Sequence, residues 1–187
     1  MILVEEAKAT LDDLYREPGK AELIGGRIVR FMSVALWHGI IAGNIYVALR
    51  MFAKLLKRGV ALGDNVGYIV AELPSGRESF APDASFFENP EQQDLEEFVH
   101  GAPVFAVEIR SKSDYGSAAE TEMAKKRADY FAAGTQIVWD VDFKAECVHI
   151  YAKTSPHLKR TFVRGQIADA EPALPGWRMA VNEIFEK

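Results

Sequence analysis

Between residues 37 and 58, apolar side chains fall at Trp37, Ile40, Ile41, Ile45, Ala48, Leu49, Phe52, Leu55 and Leu56. This is the spacing of one helical face, and Gly59 follows where a helix end accepts glycine. Residues 117–133 carry a second helical pattern, closed by Gly134. Residues 104–109, apolar until Glu108, and residues 136–141 read as strands buried on both faces. A strand, a helix and a strand in that order favour parallel pairing through a right-handed crossover. After a turn at 142–145, residues 146–152 read as an antiparallel neighbour. Upstream, residues 10–17 predict a short helix with Thr10 as its N-cap and Pro18-Gly19 as its stop. Segments 22–24 and 27–31 flank Gly25-Gly26, a two-residue hairpin turn that requires positive φ. Extended segments are expected at 67–72 and 83–87, joined through the turn residues Pro74-Ser75-Gly76, followed by an acidic, mobile loop at 88–101 and a terminal helix at 181–185. Together these elements predict an α/β (α+β) fold, a central mixed sheet flanked by helices.

Composition narrows this picture. A chain of 187 residues with 49% hydrophobic content can bury a full core, and neither repeats nor a Pro/Gly-rich linker divide it, so residues 1–187 are expected to form one domain. The short apolar run 1–4 ends at Glu5 and Glu6, where a secretory signal would need a longer apolar stretch, so no export signal is expected. Asn44, Arg50 and Lys54 interrupt the long apolar helix, which therefore reads as a core helix, not a membrane span. A soluble, cytoplasmic protein is expected. Cys147 is the single cysteine, so an internal disulfide is excluded and metal is expected on oxygen or imidazole ligands. Cys147 itself reads as an inert buried thiol, and Trp139 and Tyr151 as core or interface residues. A net charge of -5 argues against binding nucleic acid by bulk electrostatics unless basic residues line one cleft, for which Lys112, Lys125, Lys126 and Arg127 are the candidates.

Three carboxylates stand beside apolar strand segments: Glu22, Asp83 and Glu108. An ionised carboxylate there is costly to desolvate unless a partner or metal compensates. Oxygen ligands suit a hard cation such as magnesium or manganese. Lys126 and Tyr130 stand four apart on the helix after Glu108, so both share a face that can turn toward the sheet. An ammonium there could orient water or stabilise charge on a phosphate undergoing attack.

The order of these residues resembles the PD-(D/E)XK nuclease superfamily, in the restriction-endonuclease-like branch known as the Uma-two family. Pro82-Asp83 matches the PD element and Val107-Glu108-Ile109 the (D/E)X element. Arg110 stands where the usual lysine is expected; in this branch the lysine lies on the following helix, where Lys126-Arg127-Ala128-Asp129-Tyr130 matches K-x-x-x-Y. Glu22-Leu23-Ile24-Gly25-Gly26-Arg27 resembles the family's opening segment, and His38 falls where the family places a histidine. Ser111-Lys112-Ser113-Asp114 resembles its S-P-S-D loop, with Lys112 in place of proline, and residues 133–142 resemble its A-G-V-x-E-Y-W-x-V-D segment, with Gln136 and Ile137 as departures. The likeness runs over residues 14–151. It implies a restriction-endonuclease-like fold, a magnesium site on Asp83 and Glu108 that manganese can also fill, and a catalytic group of Asp83, Glu108, Lys126 and Glu22. It further implies a DNA substrate and often a homodimer.

Each residue also has a structural reading. Asp83 can cap a turn after Pro82. Glu108 can pair with Arg110 on the same strand face, and Glu22 with Arg27 across the hairpin. Lys126 can belong to a solvated basic face, and His38 can be structural. Three functions follow: a divalent-metal endonuclease on DNA, a catalytically idle relative of the fold that binds nucleic acid or a protein partner, or a metal-dependent hydrolase of smaller phosphate esters.

Overall fold

The computed structural model describes residues 7–187; the expectation about an export signal falls on residues outside that range. Thr10 accepts from the Asp13 amide while the Asp13 carboxylate accepts from the Thr10 amide, a reciprocal cap that starts α1 (Leu11–Tyr15) as the sequence predicts. Strands β1 (Ala21–Ile24) and β2 (Arg27–Arg30) form the expected hairpin, with Gly25 and Gly26 both at positive φ. Helix α2 (Leu36–Leu56) comes next. It ends at Leu56, the last apolar position of the pattern, because Lys57 turns into the left-handed region before Gly59 is reached.

Gly59 has its own role at the entry to β3 (Val60–Leu62). Its φ is +68°, and a Cβ there would run into the Phe86 ring and come within 2.8 Å of the Phe87 carbonyl oxygen. Strands β4 (Tyr68–Ile69), β5 (Ser79–Phe80) and β6 (Ala84–Phe87) follow. The extended segment expected at 67–72 thus shrinks to two paired residues. The segment 88–101 is more structured than a bare loop: Pro90–Gln92 form a 3-10 turn, and β7 (Val99–His100) pairs in parallel with β4.

The frame of the molecule is β8 (Phe105–Ile109), α3 (Ser117–Ala133) and β9 (Ile137–Asp142), with β8 and β9 parallel as the crossover pattern requires. Gly134 caps α3 at a φ of 122°, a conformation that glycine tolerates. Strand β10 (Cys147–Ala152) lies antiparallel to β9, and β11 (Ser155–Val163) follows it at the sheet edge. A small pair, β12 (Ile167–Asp169) and β13 (Arg178–Ala180), leads to α4 (Val181–Ile184). The central sheet runs β11-β10-β9-β8-β6-β3, mixed because one of its five pairings is parallel.

Alternation along these strands splits the core in two. One sheet face, with Phe86, Phe105, Val107, Trp139 and Ile150, packs against α2 and the C-terminal segment. On the other, Ala106, Val138 and Tyr151 pack against Tyr130 and Phe131 of α3 and against Tyr68 and Phe80. Trp139 is fully buried, as expected of a core residue; burying a side chain of this kind contributes about 1.5–3 kcal/mol.

Helix α2 is long and apolar enough to cross a membrane by length and composition, with a mean hydropathy of 1.4 in its most apolar window. Its Ile41, Ile45, Leu49 and Ala53 pack into the core. Its outward side leaves Leu36, Val47, Met51 and Leu55 exposed.

Candidate active site

On the α3 face of the sheet, where α3, the β1–β2 hairpin and the start of α2 meet, the four sequence-predicted residues come together. The antiparallel register that pairs Ala84 with Val107 sets Asp83 beside Glu108 one step further along. Asp83 Oδ2 accepts from the Ile109 amide at 2.7 Å. Its Oδ1 lies 2.6 Å from Lys20 Nζ and 3.2 Å from His38 Nε2. Asp83 does more than cap a turn, since its carboxylate is buried among groups from β8, α2 and the start of β1.

Lys126 joins the other two acids. Its Nζ lies 2.9 Å from Glu108 Oε2 and 2.9 Å from Glu22 Oε1. One turn further along α3, Tyr130 donates its hydroxyl to Glu108 Oε1 at 2.6 Å, so the two residues of the K-x-x-x-Y spacing clasp the two oxygens of one carboxylate. The Tyr130 ring is fixed in turn by stacking on Phe80, 4.2 Å between centroids.

Glu22 is completely buried on β1. Its partner is not Arg27: the hairpin register places Val29 opposite it, and Arg27 is solvent-exposed. Arg77 and Lys126 hold its charge instead, with the Ala81 amide donating to Oε1 at 3.1 Å. Arg77 also binds Asp129 of α3 at 2.9 Å, tying hairpin to helix.

Two further sequence readings are corrected. Arg110 does not pair with Glu108. It makes a two-pronged contact to Asp140, 2.7 Å on each arm, and reaches Glu120 at 3.0 Å. Strand alternation puts Arg110 on the side of Glu108, but β9 offers Asp140, the in-register neighbour of Glu108, at the right reach. The basic run also does not converge on a cleft. Arg127 is buried against Asp140 and Glu120 with Tyr151 under its guanidinium, Lys125 pairs with Glu122 on the surface, and Lys112 is exposed. Only Lys126 enters the site.

The charges shape one another. Burial opposes ionisation of Asp83, but His38 and Lys20 outweigh it and lower its pKa to about 2. Burial raises Glu108; Lys126 pulls it down, while Asp83 and Glu22 push it further up, and the net direction is upward. Desolvation disfavours the Lys126 ammonium, yet Glu108 and Glu22 more than compensate, so it stays charged well above its ordinary range. Desolvation and the adjacent acids also keep the Tyr130 hydroxyl protonated.

The donor set suits a divalent cation. Five carboxylates, Glu22, Asp64, Asp83, Glu108 and Asp129, face three fixed cations, Lys20, Arg77 and Lys126, an excess of two negative charges. His38, Asp64 and Asp83 each present one donor atom within 4.8 Å of the others. Both ring nitrogens of His38 are buried; Nε2 has Asp83 Oδ1 at 3.2 Å, and Nδ1 has no hydrogen-bond partner among the described residues. The sequence reading left out Lys20, Asp64 and Arg77. They lie in turns and strand approaches without a periodic pattern to mark them.

The fold is similar to that of a solved structure described as "a putative nuclease belonging to DUF820" from Anabaena variabilis, at a TM-score of 0.72 and 19% identity, over 94% of this chain and 97% of that one. No curated protein matches the chain. The family profile of Uma2, described as "Putative restriction endonuclease", matches residues 9–182, and the chain belongs to that family.

Proposed function

We propose that this protein is a divalent-metal-dependent endonuclease that hydrolyses DNA phosphodiester bonds, using magnesium, with manganese as a substitute. The observation that supports this reading best is the meeting of Asp83, Glu108 and Lys126 in one cluster of side chains whose fixed charges sum to an excess of two negatives. Asp83 and Glu108 would hold the ion, which when bound supplies Lewis acidity toward a phosphoryl oxygen and an acidified water.

The chain's own residues have distinct tasks. Lys126 is a permanent ammonium, so it attracts phosphate oxygens and stabilises developing negative charge and does not act as a base. Tyr130 and Lys126 fix the rotamer of Glu108 from its two sides. Glu22, held by Arg77, is the counter-charge that aims Lys126. Lys20 must swing off Asp83 for the ion to enter, and its link to Asp64 gives it a place to stay.

The test is nicking of plasmid DNA by purified protein with magnesium, manganese or a chelator. Asp83→Ala, Glu108→Ala and Lys126→Ala are each expected to abolish cleavage while the protein remains folded by circular dichroism. Cleavage that survives Glu108→Ala removes the mechanism. A chromogenic phosphodiester run in parallel separates DNA cleavage from hydrolysis of small esters.

One observation favours a second reading, a catalytically idle relative that binds nucleic acid or a protein partner. The Lys20 ammonium, 2.6 Å from Asp83 and 2.7 Å from Asp64, is a built-in cation among the acids. Calorimetry decides: heat on titrating manganese supports the nuclease, and its absence supports the idle form. A homodimer belongs to the same proposal. It would have the outward side of α2, with Leu36, Val47, Met51 and Leu55, available to bury, and light scattering measures it. The cytoplasmic location also stands as part of this proposal.

A further inference from the structure

Further along the same sheet face, toward the β11 edge, three other metal-ligating side chains converge. Asp142 closes β9 and Cys147 opens β10, and the two are direct partners in the antiparallel register. His149, two residues on, emerges on the same side of β10 as Cys147. Cys147 Sγ lies 3.7 Å from His149 Nε2, and one donor atom from each of the three residues lies within 4.8 Å of the others.

Each donor is already aimed by a neighbour. His149 Nδ1 lies 2.9 Å from Oγ1 of Thr161, its partner across β11. With Nδ1–H donating to that hydroxyl, Nε2 turns its lone pair toward Cys147. Asp142 Oδ1 accepts from the Tyr115 hydroxyl at 2.8 Å and from the Lys144 and Ala145 amides at 2.9 and 3.0 Å. All three donors end on Oδ1, so Oδ2 accepts none among the described residues. Outer groups that fix ring and carboxylate in this way are the usual support of metal ligands. The spacing fits as well: sulfur and nitrogen on one tetrahedral zinc, with bonds of about 2.3 and 2.0 Å, stand about 3.6 Å apart.

We propose that Asp142, Cys147 and His149 form a second cation site, through Oδ2, Sγ and Nε2, for a thiophilic divalent ion of the zinc class. On binding, the Cys147 thiol loses its proton to solvent as the sulfur–metal bond forms. One thiolate and one carboxylate then neutralise the ion, and water completes its tetrahedron. The sulfur donor selects against magnesium, so the two sites sort metals by ligand type. Partly exposed His149 gives the ion its way in. Cys147 is then a ligand in a mixed set, where the sequence alone suggested an inert thiol. The proposal does not depend on the nuclease reading.

Cobalt(II) is the probe, added to the full-length protein in excess magnesium. Expected are a thiolate-to-cobalt charge-transfer band and the visible bands of tetrahedral cobalt, saturating at one equivalent and bleached by zinc. The signal should persist in Asp83→Ala and disappear in Cys147→Ser. Because Cys147 is buried and its replacement can disturb folding, two milder variants carry the test. His149→Gln should weaken cobalt affinity at least tenfold, and Thr161→Val about 10–100-fold through loss of the ring's orientation. A folded wild-type protein without the thiolate band, or unchanged affinity in His149→Gln, overturns the proposal.

Discussion

Lys126→Met preserves side-chain length and removes the charge that lies 2.9 Å from both Glu22 and Glu108. Glu22 is fully buried, so removing this cation belongs with broken buried ion pairs, which cost about 3–5 kcal/mol. Two features reduce that figure. Arg77 and the Ala81 amide stay on Glu22, and the Glu108 side chain retains 27% exposure, so water screens part of its charge. A destabilisation of about 2–3 kcal/mol is expected. In a chain of 187 residues this corresponds to a fall in Tm of roughly 4–12 °C. Adding Glu22→Gln neutralises the buried carboxylate that has lost one of its two cations, so the double variant should be more stable than the two single losses imply, by about 1–2 kcal/mol in denaturant unfolding. On plasmid DNA, folded Lys126→Met should cut about 10²–10³-fold more slowly, the usual penalty for losing one electrostatic stabiliser. Strict additivity of the two substitutions, or undiminished cleavage, would refute the reasoning.

Three other outcomes are expected. Asp83→Asn should abolish the calorimetric heat of manganese binding while Arg110→Met, which breaks the neighbouring Asp140 pair, leaves it intact and lowers Tm only; equal loss in both would mean that the ion sits elsewhere. Because burial and the nearby acids raise Glu108, a proton competes with the metal at higher pH than it does at a free glutamate, so manganese affinity should weaken as pH falls through that raised pKa. Affinity that does not change between neutral and mildly acidic pH contradicts this. Gly59→Ala forces a Cβ against the Phe86 ring at a positive φ and should cost about 1–3 kcal/mol, read by thermal unfolding; an unchanged Tm would show that the α2–β3 junction yields freely.

Long periodic elements were legible in the sequence, as were the short α1 and the β1–β2 hairpin, which carry their own cap and turn residues; the shortest strands were not. The apolar strands β8 and β9, and α3 between them, follow from patterns that only one pairing satisfies. Strands β4 and β5 are two residues each, too short for alternation to register, and they exist because Tyr68 and Phe80 are buried by the core above them. The same rule applies at the site. Glu108, Lys126 and Tyr130 were readable through the family resemblance, and the four-residue helical step gave Lys126 and Tyr130 the shared face from which both reach Glu108. Arg77 was not, because it comes from a turn and reaches Glu22 only after the β1–β2 hairpin has docked, with the Gly25 amide on the Gly76 carbonyl. Alternation correctly gave the side of the sheet that Arg110 faces. It could not say which carboxylate on that side, Glu108 or Asp140, lies within reach.

Anomalous scattering from crystals soaked in manganese tests the central claim most directly. A peak about 2.0–2.2 Å from carboxylate oxygens of both Asp83 and Glu108, with Lys20 displaced from Asp83 and Lys126 still on Glu22, is the expected result. Crystals that diffract well, carry no manganese between those two carboxylates and keep Lys20 paired to Asp83 would contradict it.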